Sequence, residues 1–380
     1  MKKRIALDQI KPGTRYSEDV YIDDKNLLVP ADIPVKQKDI EVLKRWGVAY
    51  VITEGAEVEE KAPESKAAEA KPEAKAPGFA GSRELYLRYT ELVDRLAQVL
   101  DRIRKGEAVE TKSVDVIAQG VIALVRDEQD AAIAAILGSE ATGNELARSG
   151  VNGAILSTVI GVTLKLPAYR LAYLATGALL HDTGMLRIPD SIVKKKGALT
   201  EDEAQKIRAH PLLSYRIITK ELMYPDDVGV VGLQHHERWD GEGYPRKSPG
   251  KDIDILARVV SVADAFEAMV SSKPYRNSMI GYAAMKALLS DNSRRFDPDV
   301  LKAFIKSMGI YPLGSTVLLN NAAIARVVET HPDAPLRPKL RVIVDEFGKR
   351  YEPDEGDFID LITEKTLFIA RALDPKELAG

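Results

Sequence analysis

Four of the five histidines in this 380-residue chain fall between positions 181 and 236, and the chain contains no cysteine. His181 and Asp182 are adjacent in HDTGM, His210 precedes Pro211, His235 and His236 are adjacent in QHHERWDGEGYP, and Asp264 sits in SVADAFEAMV. Imidazoles and carboxylates without thiolate suit Mn, Fe, Zn, Co or Ni, whereas calcium and magnesium prefer shells made of oxygen alone. Taken singly, each histidine is an ordinary polar residue. Taken with Asp182 and Asp264, the set points to a metal centre.

Adjacency adds a geometric condition. Neighbouring side chains on a helix diverge by about 100°, so His181 and Asp182 cannot easily act as twin ligands of one ion. They suit a site in which a carboxylate bridges two ions while the imidazole binds one of them, and His235 and His236 pose the same problem. Two ions roughly 3.5–4 Å apart form a clamp for in-line displacement at phosphorus, activating the attacking hydroxide and stabilising the leaving alkoxide. A mononuclear hydrolase needs only three protein ligands, and this chain offers more. The chemistry indicated is phosphodiester hydrolysis.

The elements that must position these residues are mostly helical. The stretch ELYLRYTELVDRLAQVLDRI spaces Tyr89, Leu92, Leu96, Val99 and Ile103 three, four, three and four apart, as a bundle helix or a dimer seam would. Helices follow in SVDVIAQGVIALVRD, EQDAAIAAILGSE, NELARSGVNGAILSTVIGVTLKL and AYRLAYLATGALLHDTGM, the last opened by Pro167 and carrying His181 and Asp182. Thr200 and Glu203 form a capping box that starts a helix ending at His210, where Pro211 discourages continuation. A further helix reaches His235 and His236, a glycine-rich loop follows, and an apolar helix then carries Asp264. A carboxylate on so apolar a helix is costly to bury without a cation or hydrogen-bond donors.

The flanks differ in kind. Residues 1–55 read as a small α/β domain with a helix in DIEVLKRWG, and residues 56–81, rich in Ala, Glu, Lys and Pro, as an extended linker. Residues 82–140 form a helical connector, 141–310 the histidine-bearing bundle, and 311–380 a small β-rich extension of alternating β-branched residues and turn signals. A net charge of −3 argues against a surface built for duplex nucleic acid, so an anionic ligand must be captured locally. No apolar run approaches the roughly 20 residues of a membrane span, and the start MKKRIALDQIKPG lacks the apolar centre of a signal peptide. The simplest address is the cytoplasm.

HD, then HP, then HHERWDGEGYP, then an aspartate in a VADA context and KPYR occur in an order that resembles the HD-GYP branch of the HD phosphohydrolases. The match runs over about residues 140–308, and the small N-terminal domain and the β extension also resemble segments joined to that family. The resemblance implies hydrolysis of cyclic di-GMP to pGpG or GMP with two or three iron or manganese ions. It implies His181, Asp182, His210, His235, His236 and Asp264 as metal ligands, with Asp182 bridging and catalytic, and Glu145 as an additional acidic ligand. Gly243, Tyr244 and Pro245 would form the substrate-side loop, and Lys273 and Arg276 would meet the substrate phosphates, chemistry that suits an anionic ligand on a protein that is not basic.

Two positions depart from the family pattern. Ser149 stands where a metal-binding histidine is usual, four residues after Glu145 on the same helix face, and Met185 stands where a lysine usually follows HD. Three readings stay open: a weakened but working centre, a cyclic di-GMP-binding effector without turnover, or a hydrolase of a related cyclic dinucleotide. A homodimer or a signalling partner engaging the flanking domains is also left open. The fold expected is mainly α, an HD-type bundle between a small α/β domain and a small β extension.

Overall fold

The structure, a computed structural model, describes residues 3–11, 13–22, 27–29, 31, 35, 40, 43, 50–56, 83–138, 144–195, 197–271, 279–290, 294–352, 355–374 and 377. The chain forms two compact units, Met1–Glu73 and Ala74–Gly380. In the first, β1 (Lys3–Ala6), β2 (Val20–Tyr21), β3 (Leu27–Val29) and β4 (Tyr50–Thr53) make an antiparallel sheet in the order β1-β4-β2-β3. Val20, Val51, Leu43 and Tyr16 fill its core. The helix expected in DIEVLKRWG and the linker at 56–81 lie almost wholly outside the described residues.

The second unit is the helical body. Its helices are α1 (Arg83–Lys105), α2 (Thr111–Gly138), α3 (Glu145–Thr163), α4 (Ala168–Leu180), α5 (Asp190–Val193), α6 (Glu201–Arg208), α7 (His210–Arg216), α8 (Asp226–Gln234), α9 (Ile255–Val270), α10 (Gly281–Ser290) and α11 (Pro298–Met308). Helix α3 is the central post, packed by α1, α2, α4, α9 and α11. Its sequence explains this: ELARSGVNGAILSTVIGVT is small or apolar nearly all round, and every residue from Gly150 to Gly161 is buried. Cutting Ile155 or Leu156, both almost fully buried, to alanine would cost about 2–5 kcal/mol.

On α1, Tyr89, Leu92, Leu96, Val99 and Ile103 are all buried in this same core, so the stripe is used inside the bundle. The two helices expected after it are one element, α2, bent where Glu128 leaves helical geometry (φ −145, ψ 48) and meets Arg88 at 2.9 Å. The capping box is present: Thr200 Oγ1 accepts from Glu203 N at 3.3 Å, and the Glu203 carboxylate accepts from Thr200 N at 2.7 Å.

After α11, β5 (Thr316–Leu319), β6 (Ile324–Glu329), β7 (Lys339–Val344), β8 (Phe358–Asp360) and β9 (Ile369–Leu373) form an antiparallel sheet in the order β8-β7-β6-β5-β9. Val317, Leu319, Ala325, Val327 and Leu340 alternate onto its inner face. The sheet meets the bundle through Tyr311, whose ring stacks on Tyr282 of α10 at 4.9 Å and 5°.

Candidate metal centre

Both adjacent pairs sit where a helix ends, and this resolves the divergence expected of them. Helix α4 stops at Leu180, His181 is its cap, and Asp182 has already turned to φ −101, ψ 9. Helix α8 stops at Gln234, His235 is its cap, and His236 lies beyond. The expectation that α4 carries His181 and Asp182 is therefore corrected, and so is the expectation that a helix reaches His236. Leaving the helix frees each pair from the 100° rule, so neighbouring side chains can face one point.

They do converge. The ligand atoms of Asp182, His210, His235 and His236 lie within 4.8 Å of one another. His210 Nε2 is 3.1 Å and His235 Nε2 3.5 Å from Asp182 Oδ1, and the two imidazole nitrogens are 3.2 Å apart. The other carboxylate oxygen, Oδ2, faces His181 Nε2 at 3.6 Å, and Asp264 Oδ1 stands 3.6 Å from that same nitrogen. Asp182 thus presents one oxygen to each of two donor sets.

The tautomers follow from the backbone. His181 Nδ1 lies 2.7 Å from the Ala178 carbonyl, His210 Nδ1 2.7 Å from that of Ile207, and His235 Nδ1 2.9 Å from that of Gly232. A carbonyl only accepts, so each Nδ1 carries the hydrogen and each Nε2 is left with a bare lone pair. Three such lone pairs, all but buried, point at carboxylate oxygens that also have nothing to donate. Among the described residues, His181 Nε2 has no hydrogen-bond partner. Only a cation or an added proton satisfies this arrangement, and the donor set fits a divalent transition metal.

Electrostatics agree. Burial depresses the basicity of His181, but the carboxylates of Asp182 and Asp264 more than reverse it and raise its pKa to about 10. Burial opposes ionisation of Asp182, yet His181, His210 and His235 hold its carboxyl well below the usual range. Asp264 is lowered too, by His181 against burial. Burial lowers His235 and pushes His236 well below its ordinary value, so both are neutral at pH 7, as metal ligands must be.

Close packing holds the frame. A Cβ at Gly184 would stand 2.1 Å from the His210 carbonyl oxygen, so only glycine lets the turn after Asp182 press against α7. Gly184 N also donates to Ser214 Oγ at 2.8 Å. Gly243 is equally hemmed in, with Glu237 Cα and the His236 carbonyl oxygen each 2.6 Å from where its Cβ would be. Tyr244, next in the loop, stacks on the His236 ring at 4.8 Å and 29°. Burial and the carboxylates of Asp182 and Asp264 keep the Tyr244 hydroxyl protonated, with Arg208 and Arg295 partly offsetting them.

Ser149 and Glu145 occupy less direct positions. Ser149 shares a crevice with His181 and Asp182, walled by Leu100, Leu146 and Leu179. Its hydroxyl donates to the buried carboxylate of Glu267 at 2.6 Å. Glu267 also accepts from Asn152 at 3.3 Å and from Ser271 at 2.6 Å, and Asn152 Oδ1 accepts from Tyr89 of α1 at 2.8 Å. Glu145 opens α3 and lies outside the four-residue cluster. Pro245 is exposed, Met185 half-buried, and Lys273 and Arg276 lie outside the described residues.

Sequence reasoning missed Glu267 and Glu237. A signal for the first was available, because the argument that an acid on an apolar helix needs partners applies to Glu267 as it does to Asp264, one turn away on the same face of α9. Glu237, in HHE, is buried and accepts from Arg246 N at 2.7 Å and Ser248 N at 3.1 Å.

Comparison with known proteins agrees with this geometry. Residues 133–300 match the family model of the HD domain, and residues 316–380 that of a KOW domain associated with HD domains. Residues 133–300 thus match an HD domain and residues 316–380 the C-terminal domain that accompanies it. Within the class the chain is similar to a cyclic di-GMP phosphodiesterase of Borreliella burgdorferi, 32% identical over 60% of this chain and 60% of the relative. A cyclic di-GMP phosphodiesterase of Pseudomonas aeruginosa is 36% identical over 47% of this chain and 43% of its own. A 3'3'-cGAMP-specific phosphodiesterase of Vibrio cholerae is 32% identical over 37% of this chain and 30% of its own. The chain thus spans less than two thirds of the length of each of these relatives. Among the described residues, no helix is long and apolar enough to cross a membrane.

Proposed function

We propose that the chain is a metal-dependent phosphodiesterase that opens cyclic di-GMP to pGpG or GMP. The observation that carries this reading is the trio of imidazoles whose Nδ1 hydrogens are committed to backbone carbonyls while their Nε2 lone pairs face carboxylates. His210, His235 and His236 would hold one ion and His181 and Asp264 another, with Asp182 serving both and Glu145 proposed as an additional acidic ligand. Iron or manganese, two or three ions, fits a donor set without thiolate. When bound, such ions supply Lewis acidity at the phosphoryl oxygens and an acidified water for in-line attack.

The protein's own groups do the rest. Asp182 keeps the donor sets at fixed separation, and the half-buried His236 and Tyr244 rings offer a flat wall at the mouth. Gly243, Tyr244 and Pro245 shape the substrate side, while Lys273 and Arg276 are the cations proposed to orient the phosphates. With Met185 in place of lysine, orientation rests on those two. The proposed setting is the cytoplasm, and a second copy or a signalling protein would engage the flanking domains.

A second reading is favoured by one contact. The Ser149 hydroxyl is taken up by Glu267, so a chain lacking a histidine there could bind cyclic di-GMP without cleaving it. Protein reconstituted anaerobically with Mn(II) or Fe(II) decides between the two when its products are resolved by chromatography. Linear product from wild type and none from Asp182→Ala supports the enzyme. Tight binding with no turnover under any metal establishes the effector, and preferential cleavage of cyclic GMP-AMP moves the substrate to the related dinucleotide.

A further inference from the structure

We propose that Glu237 is a positioning residue that ties the substrate-side loop to the metal-ligating backbone beside it; the substrate half of this inference rests on the reading above. The residue follows His236 directly, yet its carboxylate points away from the cluster and into the loop. It is 3% exposed, so burying its charge would be costly without its two backbone donors. Those donors, Arg246 N at 2.7 Å and Ser248 N at 3.1 Å, lie just past Tyr244 and Pro245. One oxygen goes to each, which fixes the loop in position as well as in orientation.

The rest of the loop is built on the same short segment. Tyr244 N donates to the His236 carbonyl at 3.3 Å, and Gly243 lies against Glu237 Cα with no room for a side chain. On the other side of the histidine pair, Gln234 accepts from Asp254 N at 2.8 Å and donates to the Asp252 carbonyl at 3.3 Å. In QHHE, then, the inner two residues face the ligand cluster, while Glu237 holds the loop at Arg246 and Ser248 and Gln234 holds it where it enters α9. The place of the Tyr244 ring over His236 is a consequence of the Glu237 clasp.

Glu237→Gln keeps the shape and loses one acceptor, since its amide nitrogen cannot receive a hydrogen from a backbone N–H. The expected result is a KM for cyclic di-GMP raised roughly tenfold with kcat changed less than about twofold. Metal per chain, measured by elemental analysis, should equal wild type. Trypsin should cut after Arg246 or Lys247 about tenfold faster than in wild type, a readout that involves no substrate. Glu237→Asp, which keeps the charge but shortens the reach, should fall between the two and carries the comparison if the glutamine variant does not fold.

The inference is overturned if KM and tryptic rate both stay at wild-type values. It is equally overturned if metal is lost in step with loop exposure, because Glu237 would then merely support the ligand segment. Should wild type neither bind nor cleave cyclic di-GMP, the functional reading fails by itself, and the tryptic and metal measurements still decide the role of Glu237.

Discussion

The two sides of Asp182 are built to different degrees of completion. Toward Oδ1, His210, His235 and His236 close in from two helix ends and an adjoining loop, with nitrogens at 3.1 and 3.5 Å from the carboxylate. Toward Oδ2, His181 and Asp264 face one another at 3.6 Å, and the nearby Ser149 hydroxyl is bonded to Glu267. One side is a finished set of lone pairs. On the other, the neighbouring Ser149 hydroxyl is committed to an internal hydrogen bond. The contrast teaches that a hydroxyl beside such a cluster can be absorbed by an internal network, as Ser149 is by Glu267, while His181 Nε2 keeps a lone pair that only a cation or a proton answers.

The largest test removes what the sides share. Asp182→Ala should abolish bound metal and lower turnover by roughly 10³-fold or more, read by elemental analysis and product formation. Next, His235→Ala and Asp264→Ala should separate the sides. The first should remove the tighter ion and the second the weaker one, seen as two different steps in a metal titration; identical titrations would erase the distinction drawn here. Ser149→His then adds a donor on the incomplete side and should tighten its ion by about tenfold. No change would mean that the Ser149–Glu267 pair is itself the completed form.

A smaller effect concerns protons. The metal-free pKa of His181 is about 10, above its ordinary value near 6.5, so the proton it gains in the folded state stabilises the metal-free protein. That contribution is whole below about pH 6.5 and disappears as pH rises through about 10. Chelated protein should therefore melt at lower temperature as pH goes from 7 to 10. Over the same range apparent metal affinity should climb, about tenfold per unit for the one proton displaced. The smallest effect is expected at the far end of the Glu267 network. Tyr89→Phe deletes one hydrogen bond to Asn152, worth about 1 kcal/mol, and should lower Tm by about 2–4 °C with metal content unchanged.

Much of the centre was legible because its chemistry is carried by residue type and order. His181, Asp182, His210, His235 and His236 read as ligands from the string alone, and the structure gathers them. Their meeting point was not legible, since it depends on where α4 and α8 stop, and nothing at Leu180 or Gln234 marks a helix end as a proline or glycine would. The capping box at Thr200 announced α6 correctly. The bend at Glu128 did not announce itself as a bend, because a charged DEQD run between two apolar stretches looks the same whether a helix ends there or turns. Glu237 escaped notice for a different reason: its partners are backbone amides, which leave no signature of charge.

The histidines' orienting acceptors have a further consequence. Each is the main-chain oxygen three positions upstream, at Ala178, Ile207 and Gly232. Orientation of the imidazoles is therefore written into chain path, where replacing a neighbouring side chain cannot erase it. Substitutions around the pocket can change its donors while the three rings keep their aim.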